Sequence, residues 1–215
     1  MPLDKQTEEL FQRIRKKCQN RGWFGGDEWM DPGFSNPPPF KTAFAPPATE
    51  EQIQFVEHEL GFSLPPLLRN LYLYLANGEF GFGYGILSAE NMLREYQATR
   101  THIFFDSAWH WPEYLIPICY WGCNMHSYLD VALDTILFAD TDLLLDDEGS
   151  FLIEAPSLSA WLDRWLTKQD RFPTLSEQDD DVDELARAMG LESLEDDPNT
   201  PVPHYVREHQ RFTEQ

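Results

Sequence analysis

The chain has 215 residues, with 16 Lys and Arg against 37 Asp and Glu and a formal net charge of -21. That balance repels phosphate backbones and anionic lipid, so it argues against nucleic-acid and membrane partners and for a cationic protein. Apolar residues make up 42% of the chain; no run approaches the roughly 20 that span a bilayer, and a chain of this length can bury about 70% of its unfolded surface in one core.

The N-terminus carries charges every three to four residues and no apolar run, which is not a secretory signal. Three cysteines, one of them distant in sequence, argue against a disulfide framework. A cytoplasmic chain beginning near Met1 is expected. Segment 177–197 gathers ten acids against Arg187, yet residues 1–175 still hold 25 acids against 13 bases, so the acidity extends over the body.

Residues 4–18 place Leu3, Leu10, Phe11 and Ile14 on one face, with Glu8 and Glu9 early and Arg15, Lys16 and Lys17 late, as the helix dipole prefers. This predicts an amphipathic helix. Segment 20–48 is broken by Pro37–Pro39 and Pro46–Pro47, but Trp23, Phe24, Trp29, Phe34, Phe40 and Phe44 make it too apolar for a free linker. An ordered crossing is expected.

Thr49 before Glu50, Glu51 and Gln52 forms a capping box, and Ile53, Val56 and Leu60 then repeat at helical spacing up to Gly61. Pro65 and Pro66 restart the chain into a second helix with Leu67, Leu68, Leu71, Tyr72 and Leu75 on its apolar face, ending at Asn77 and Gly78. The run GEFGFGYG invites a phosphate-loop reading. Phosphate loops leave a strand and open a helix, whereas here a helix leads through glycines into a strand at Gly85–Leu87, so a tight turn against the core is expected.

Ser88 caps a further helix with Met92, Leu93 and Tyr96 inward. From residue 103 short apolar runs alternate with turn residues, at 103–105, 115–120, 127–133 and 135–139, with a hairpin of 142–145 and 150–154. This is the pattern of an antiparallel sheet. Ser157 or Ser159 starts a last helix with Leu158, Trp161, Leu162 and Trp165 on one face.

Cys119, Cys123 and His126 lie within eight positions and raise the question of a metal or a nucleophile. A structural zinc site takes four ligands, commonly as two close pairs, and none of His58, His102, His110, His204 or His209 stands in a paired spacing. A thiol nucleophile needs a lowered pKa, and the negative field of this chain holds a thiol protonated. Cys119 is expected to be buried and Cys123 to lie at a turn, with no metal, no cofactor and no catalytic residue. A thiol or metal hydrolase using Cys123 and His126 stands as the enzymatic alternative.

The stretch ATEEQIQFVEHELGFSLPPLLRNLYLYLANG, residues 48–78, resembles the signature of the SUKH superfamily, the SMI-one/KNR-four type. Glu57, Leu60, Gly61, Leu64, Pro65, Asn77 and Gly78 match it in order, followed by Gly85–Leu87, by Leu115, Pro117 and Ile118, by Trp121–Cys123, and by Trp161 and Leu162. The resemblance covers about residues 48–168. It implies an α+β fold, a mainly antiparallel sheet packed against helices in a single domain. It also implies function through protein binding: bacterial members neutralise toxins, often nucleases, and fungal members act as regulators.

The expected organisation is therefore an N-terminal extension, 1–47, a SUKH-like domain, 48–175, and an acidic C-terminal extension, 176–215. The expected function is that of an immunity protein for a basic toxin, with a regulatory adaptor as the alternative. Asp140, Asp142, Asp146, Asp147 and Glu148 are the candidate partner-binding residues, and the 179–197 tail is expected to steer the encounter.

Overall fold

The structure, a computed structural model, describes residues 3–26, 41–101, 111–140 and 151–167. Helix α1, Lys5–Arg21, starts where Asp4 accepts the Thr7 amide at 2.9 Å and ends at Gly22, whose φ of 74° closes the last turn. It runs past the expected residue 18 to the Gly22 cap, and Cys18 continues the buried face of Leu10, Phe11 and Ile14. The chain then crosses the core. Trp23 is buried, and Phe24, Phe44 and Phe80 stack edge to face at 4.7 and 5.9 Å. Trp29, Phe34 and Phe40 lie outside the described residues.

The capping box forms as the spacing predicts: Thr49 Oγ1 accepts the Gln52 amide while Gln52 Oε1 accepts that of Thr49. Helix α2, Glu50–Leu60, follows and ends at Gly61 in the left-handed region. Glu57 then orders the turn into the next helix by accepting the Leu64 amide at 2.9 Å and Arg69 Nε at 3.2 Å.

Helix α3, Pro66–Asn70, does not continue as one α-helix. Residues Leu71–Leu75 widen into a π-helical turn in which the Ala76 amide reaches the Leu71 carbonyl, five residues back. The wider turn lets Leu71, Tyr72 and Leu75 all enter the core, while Leu67 is only partly buried. Asn77 links this end to helix α4, Ala89–Thr101, by accepting the Ala89 amide and donating to Glu90.

The glycine run is a close-packed turn. A Cβ on Gly83 would lie 2.6 Å from the Tyr120 carbonyl, so the backbone approach itself demands glycine. Gly85–Leu87 differs from the expected strand. It makes an isolated bridge between Ile86 and Cys119, supported by Tyr84 and Leu87 amides donating to Tyr120 and Ile118. Positive φ at Gly81, Gly83 and Gly85 breaks the extended run, leaving only this short edge contact.

The sheet is fully antiparallel in the order β1 (Leu115–Gly122), β2 (Met125–Asp130), β3 (Ile136–Asp140) and β4 (Leu152–Ala155). Segments 103–105 and 142–145 lie outside the described residues, and the strand expected at 150–154 pairs with β3. Helix α5, Leu158–Thr167, is capped by Ser157, whose hydroxyl accepts the Ala160 amide.

One face of the sheet, with Ile116, Cys119, Trp121, Leu129 and Phe138, joins a core that takes side chains from every described helix. On the other face Trp111, Tyr128 and Phe151 pack with ring centroids 4.9–6.4 Å apart.

Candidate partner-binding surface

The β1–β2 hairpin turns on two residues, Cys123 and Asn124, with φ of 46° and 62°. Positive φ at both positions matches the right-handed twist of the flanking strands, and Asn tolerates it well. This geometry places Cys123 exposed at the tip. Cys119, four residues earlier, is buried, with its thiol donating to the Phe82 carbonyl at 3.1 Å.

His126 lies opposite Tyr120 across the ladder, in ring contact with Tyr120 at 5.0 Å and Tyr128 at 5.6 Å. The Cys119, Cys123 and His126 constellation is therefore spread over a core thiol, a turn thiol and an aromatic row. Among the described residues no group of three or more His, Cys, Asp and Glu could hold a metal ion. Burial pushes the His126 imidazole below its ordinary range, against a hydrogen bond with the Asn124 carbonyl and the fields of Glu95 and Asp140.

The aromatic row continues to the sheet edge, where Tyr84 stacks on Tyr120 at 5.3 Å. Tyr84, Tyr120 and His126 are half-buried. Asp140 closes β3 directly opposite Met125, next to the hairpin tip, and is also half-exposed. It is the one candidate partner-binding residue that the structure describes. Asp142, Asp146, Asp147 and Glu148 lie outside the described residues. Segment 111–140, which contains this surface, carries Glu113, Asp130, Asp134 and Asp140 and no Lys or Arg. Two of those acids serve the fold: buried Asp130 accepts the Ala132 and Leu133 amides, and Asp134 accepts the Leu158 amide at the start of α5.

A second carboxylate behind the sheet escaped the sequence reading. Glu154 on β4 is fully buried and accepts from Trp161 Nε1 and Ser127 Oγ at 2.5 Å and from Arg164 at 2.6 Å. Trp121 Nε1 in turn donates to Ser127 at 2.7 Å, so one carboxylate joins β4, β2, β1 and α5. Burial pushes this carboxyl above its ordinary range, and Arg164, Ser127 and Trp161 pull the other way. The side-chain polar atoms of Glu154, Ser127, Trp121 and Trp161 all have partners within the fold, which makes the cluster a structural lock behind the hairpin. The signal available in sequence was an acid flanked by apolar residues in LIEA, with Trp161 and Arg164 following at i+7 and i+10.

A four-stranded antiparallel sheet wrapped by helices, with its polar cluster consumed by the fold and an aromatic, cation-free hairpin at its surface, defines an α+β domain. A protein-family model for the SMI1 / KNR4 family (SUKH-1) matches residues 47–164. The chain belongs to that family. No curated protein matches it.

Proposed function

We propose that this protein acts by binding rather than catalysis, as an immunity protein that neutralises a basic toxin by covering its working surface. Membership of the SMI1 / KNR4 family (SUKH-1) carries the reading, and charge selects the kind of partner. A nuclease presents lysines and arginines to hold phosphate, and a protein of net charge -21 offers that surface a substitute for its substrate. The surface proposed for contact is the end of β3 at Asp140 together with Asp142, Asp146, Asp147 and Glu148. The half-buried row Tyr84, Tyr120 and His126 points to the other face of the sheet from Asp140, since His126 pairs with Ala139 and Met125 with Asp140, so the contact is assigned to the acids.

The Cys123 and His126 hydrolase alternative has no support in the geometry. Cys123 sits at a turn tip, while His126 is packed between two tyrosines.

The test is to look for a toxin gene directly upstream and to co-produce its product with this chain. Immunity predicts that the chain forms a complex with that toxin and restores growth. A Cys123→Ser variant should protect as well as the parent. Failure to bind or protect, or loss of protection on removing the Cys123 thiol, would contradict the proposal.

A further inference from the structure

Positive charge in this chain is concentrated. Helix α1 holds six of the 16 Lys and Arg: Lys5, Arg13, Arg15, Lys16, Lys17 and Arg21. Residues 13–21 alone carry five cations and no acid. The helix dipole accounts for a cation in the last turn, but its influence fades within that turn, and Arg13 to Lys17 stand further back.

The same stretch lies where the chain leaves α5. Arg13 pairs with Asp163 at 2.6 Å, Lys17 donates to the Trp165 carbonyl, and Lys17 Nζ stands 4.9 Å from the Trp165 ring centroid. Ten residues beyond Thr167 begins segment 177–197, which lies outside the described residues and carries ten acids against Arg187.

We infer that the acidic segment 177–197 docks in cis on the cationic face of α1 around Lys16. Charge complementarity and position support the same occupant. Ten residues of chain span at most about 36 Å, whereas α1 is about 26 Å long, so the whole cationic stretch is within reach from Thr167. A short tether holds the segment near millimolar effective concentration, so even a weak electrostatic contact is populated. Docking there covers the most positive helix of the body, so a cationic partner meets less repulsion. The inference does not depend on the immunity reading, since it concerns one chain alone.

The test is zero-length carbodiimide crosslinking of the full chain at high dilution, read by peptide mass spectrometry. Crosslinks from Lys16 to carboxylates of 177–197 should exceed those from Lys5 and Lys41 severalfold. They should collapse when ionic strength rises from about 0.01 M to about 1 M, which shortens the screening length from about 30 Å to about 3 Å. Gln12→Glu with Gln19→Glu adds negative charge at two exposed α1 positions, and it should cut the Lys16 crosslinks severalfold at unchanged circular dichroism. Equal crosslinking to Lys5 and Lys41, no crosslinks to α1, or crosslinks indifferent to salt would overturn the inference. The salt series on the parent decides the matter even if the double variant folds poorly.

Discussion

Removing Arg164 should damage this fold more than removing the charge of Glu154, because only the first change strands a buried ion. Glu154 is fully buried, and its carboxylate receives Arg164, Trp161 and Ser127, while the Arg164 side chain retains 18% exposure and a second bond to the Glu154 carbonyl at 2.9 Å. Arg164→Met keeps the stem but leaves the carboxylate without its counter-charge. Breaking a buried pair in this way costs about 3–5 kcal/mol.

Glu154→Gln leaves Arg164 its carbonyl bond and its partial access to water, so about 1–3 kcal/mol is expected, the range for one unsatisfied buried partner. The double variant should cost less than the sum of the singles, since the stranded charge is gone. Protonating the buried carboxyl relieves the Arg164→Met variant, so its deficit should shrink as the pH is lowered. In the parent the carboxyl is raised above its ordinary 4.5, so the native state holds the proton more tightly than the unfolded chain. The Glu154 contribution is therefore fully present below 4.5 and declines as the pH rises through the folded-state value, a trend that Glu154→Gln should remove. Urea unfolding followed by tryptophan fluorescence measures all of this, with Trp121 and Trp161 inside the network. An Arg164→Met variant no less stable than Glu154→Gln, or a deficit that grows toward acid pH, would refute the reasoning.

Further outcomes follow from single sites. Leu71→Ala, in the π-helical turn and fully buried, should cost about 2–5 kcal/mol, read as a lowered urea midpoint. Thr49→Ala removes one half of a formed capping box and should cost about 1 kcal/mol. A thiol reagent should modify Cys123 rapidly in the native protein, and Cys18 and Cys119 only on unfolding. His126 lies below its ordinary 6.5 chiefly through burial; its contribution to stability is present above 6.5 and falls away as the pH drops through its folded value, so His126→Gln should flatten the acid side of the stability profile.

Short-range signals were legible in sequence. The Thr49 and Gln52 pair, Gly61 and Ser157 mark helix ends because capping is decided within four residues. Sheet strands near 115–120 and 135–139 are readable from apolar runs between turn residues, since pairing of neighbours is local in an antiparallel meander, whereas the run 127–133 overshoots Asp130, where the chain turns.

The π-helical turn at Leu71–Leu75 was not readable, because its buried residues also satisfy an α-helical spacing and only the surrounding core selects the wider turn. Gly85–Leu87 was read as a full strand because its apolar residues fit one, whereas positive φ at the glycines depends on how closely the loop approaches Tyr120. Glu154 was missed for a similar reason. The acid within LIEA gives only a weak signal of burial, and its role is set when Ser127, Trp161 and Arg164 from two other elements arrive around it. At the candidate surface, Asp140 is legible from its charge, whereas the Tyr84, Tyr120 and His126 row on the other sheet face arises from cross-strand register and a loop stacked on the sheet edge.

The central claim is recognition of a basic toxin through the acidic end of β3. Its most direct measurement is the association rate with that toxin across a salt series, for the parent and for Asp140→Lys combined with Asp142→Lys, Asp146→Lys and Asp147→Lys. Complementary charge should speed the parent's association by about 10–1000-fold at low salt, a gain that fades as salt rises. The reversed variant should associate severalfold more slowly with a flattened salt dependence. A rate that ignores both salt and the four reversals would contradict it.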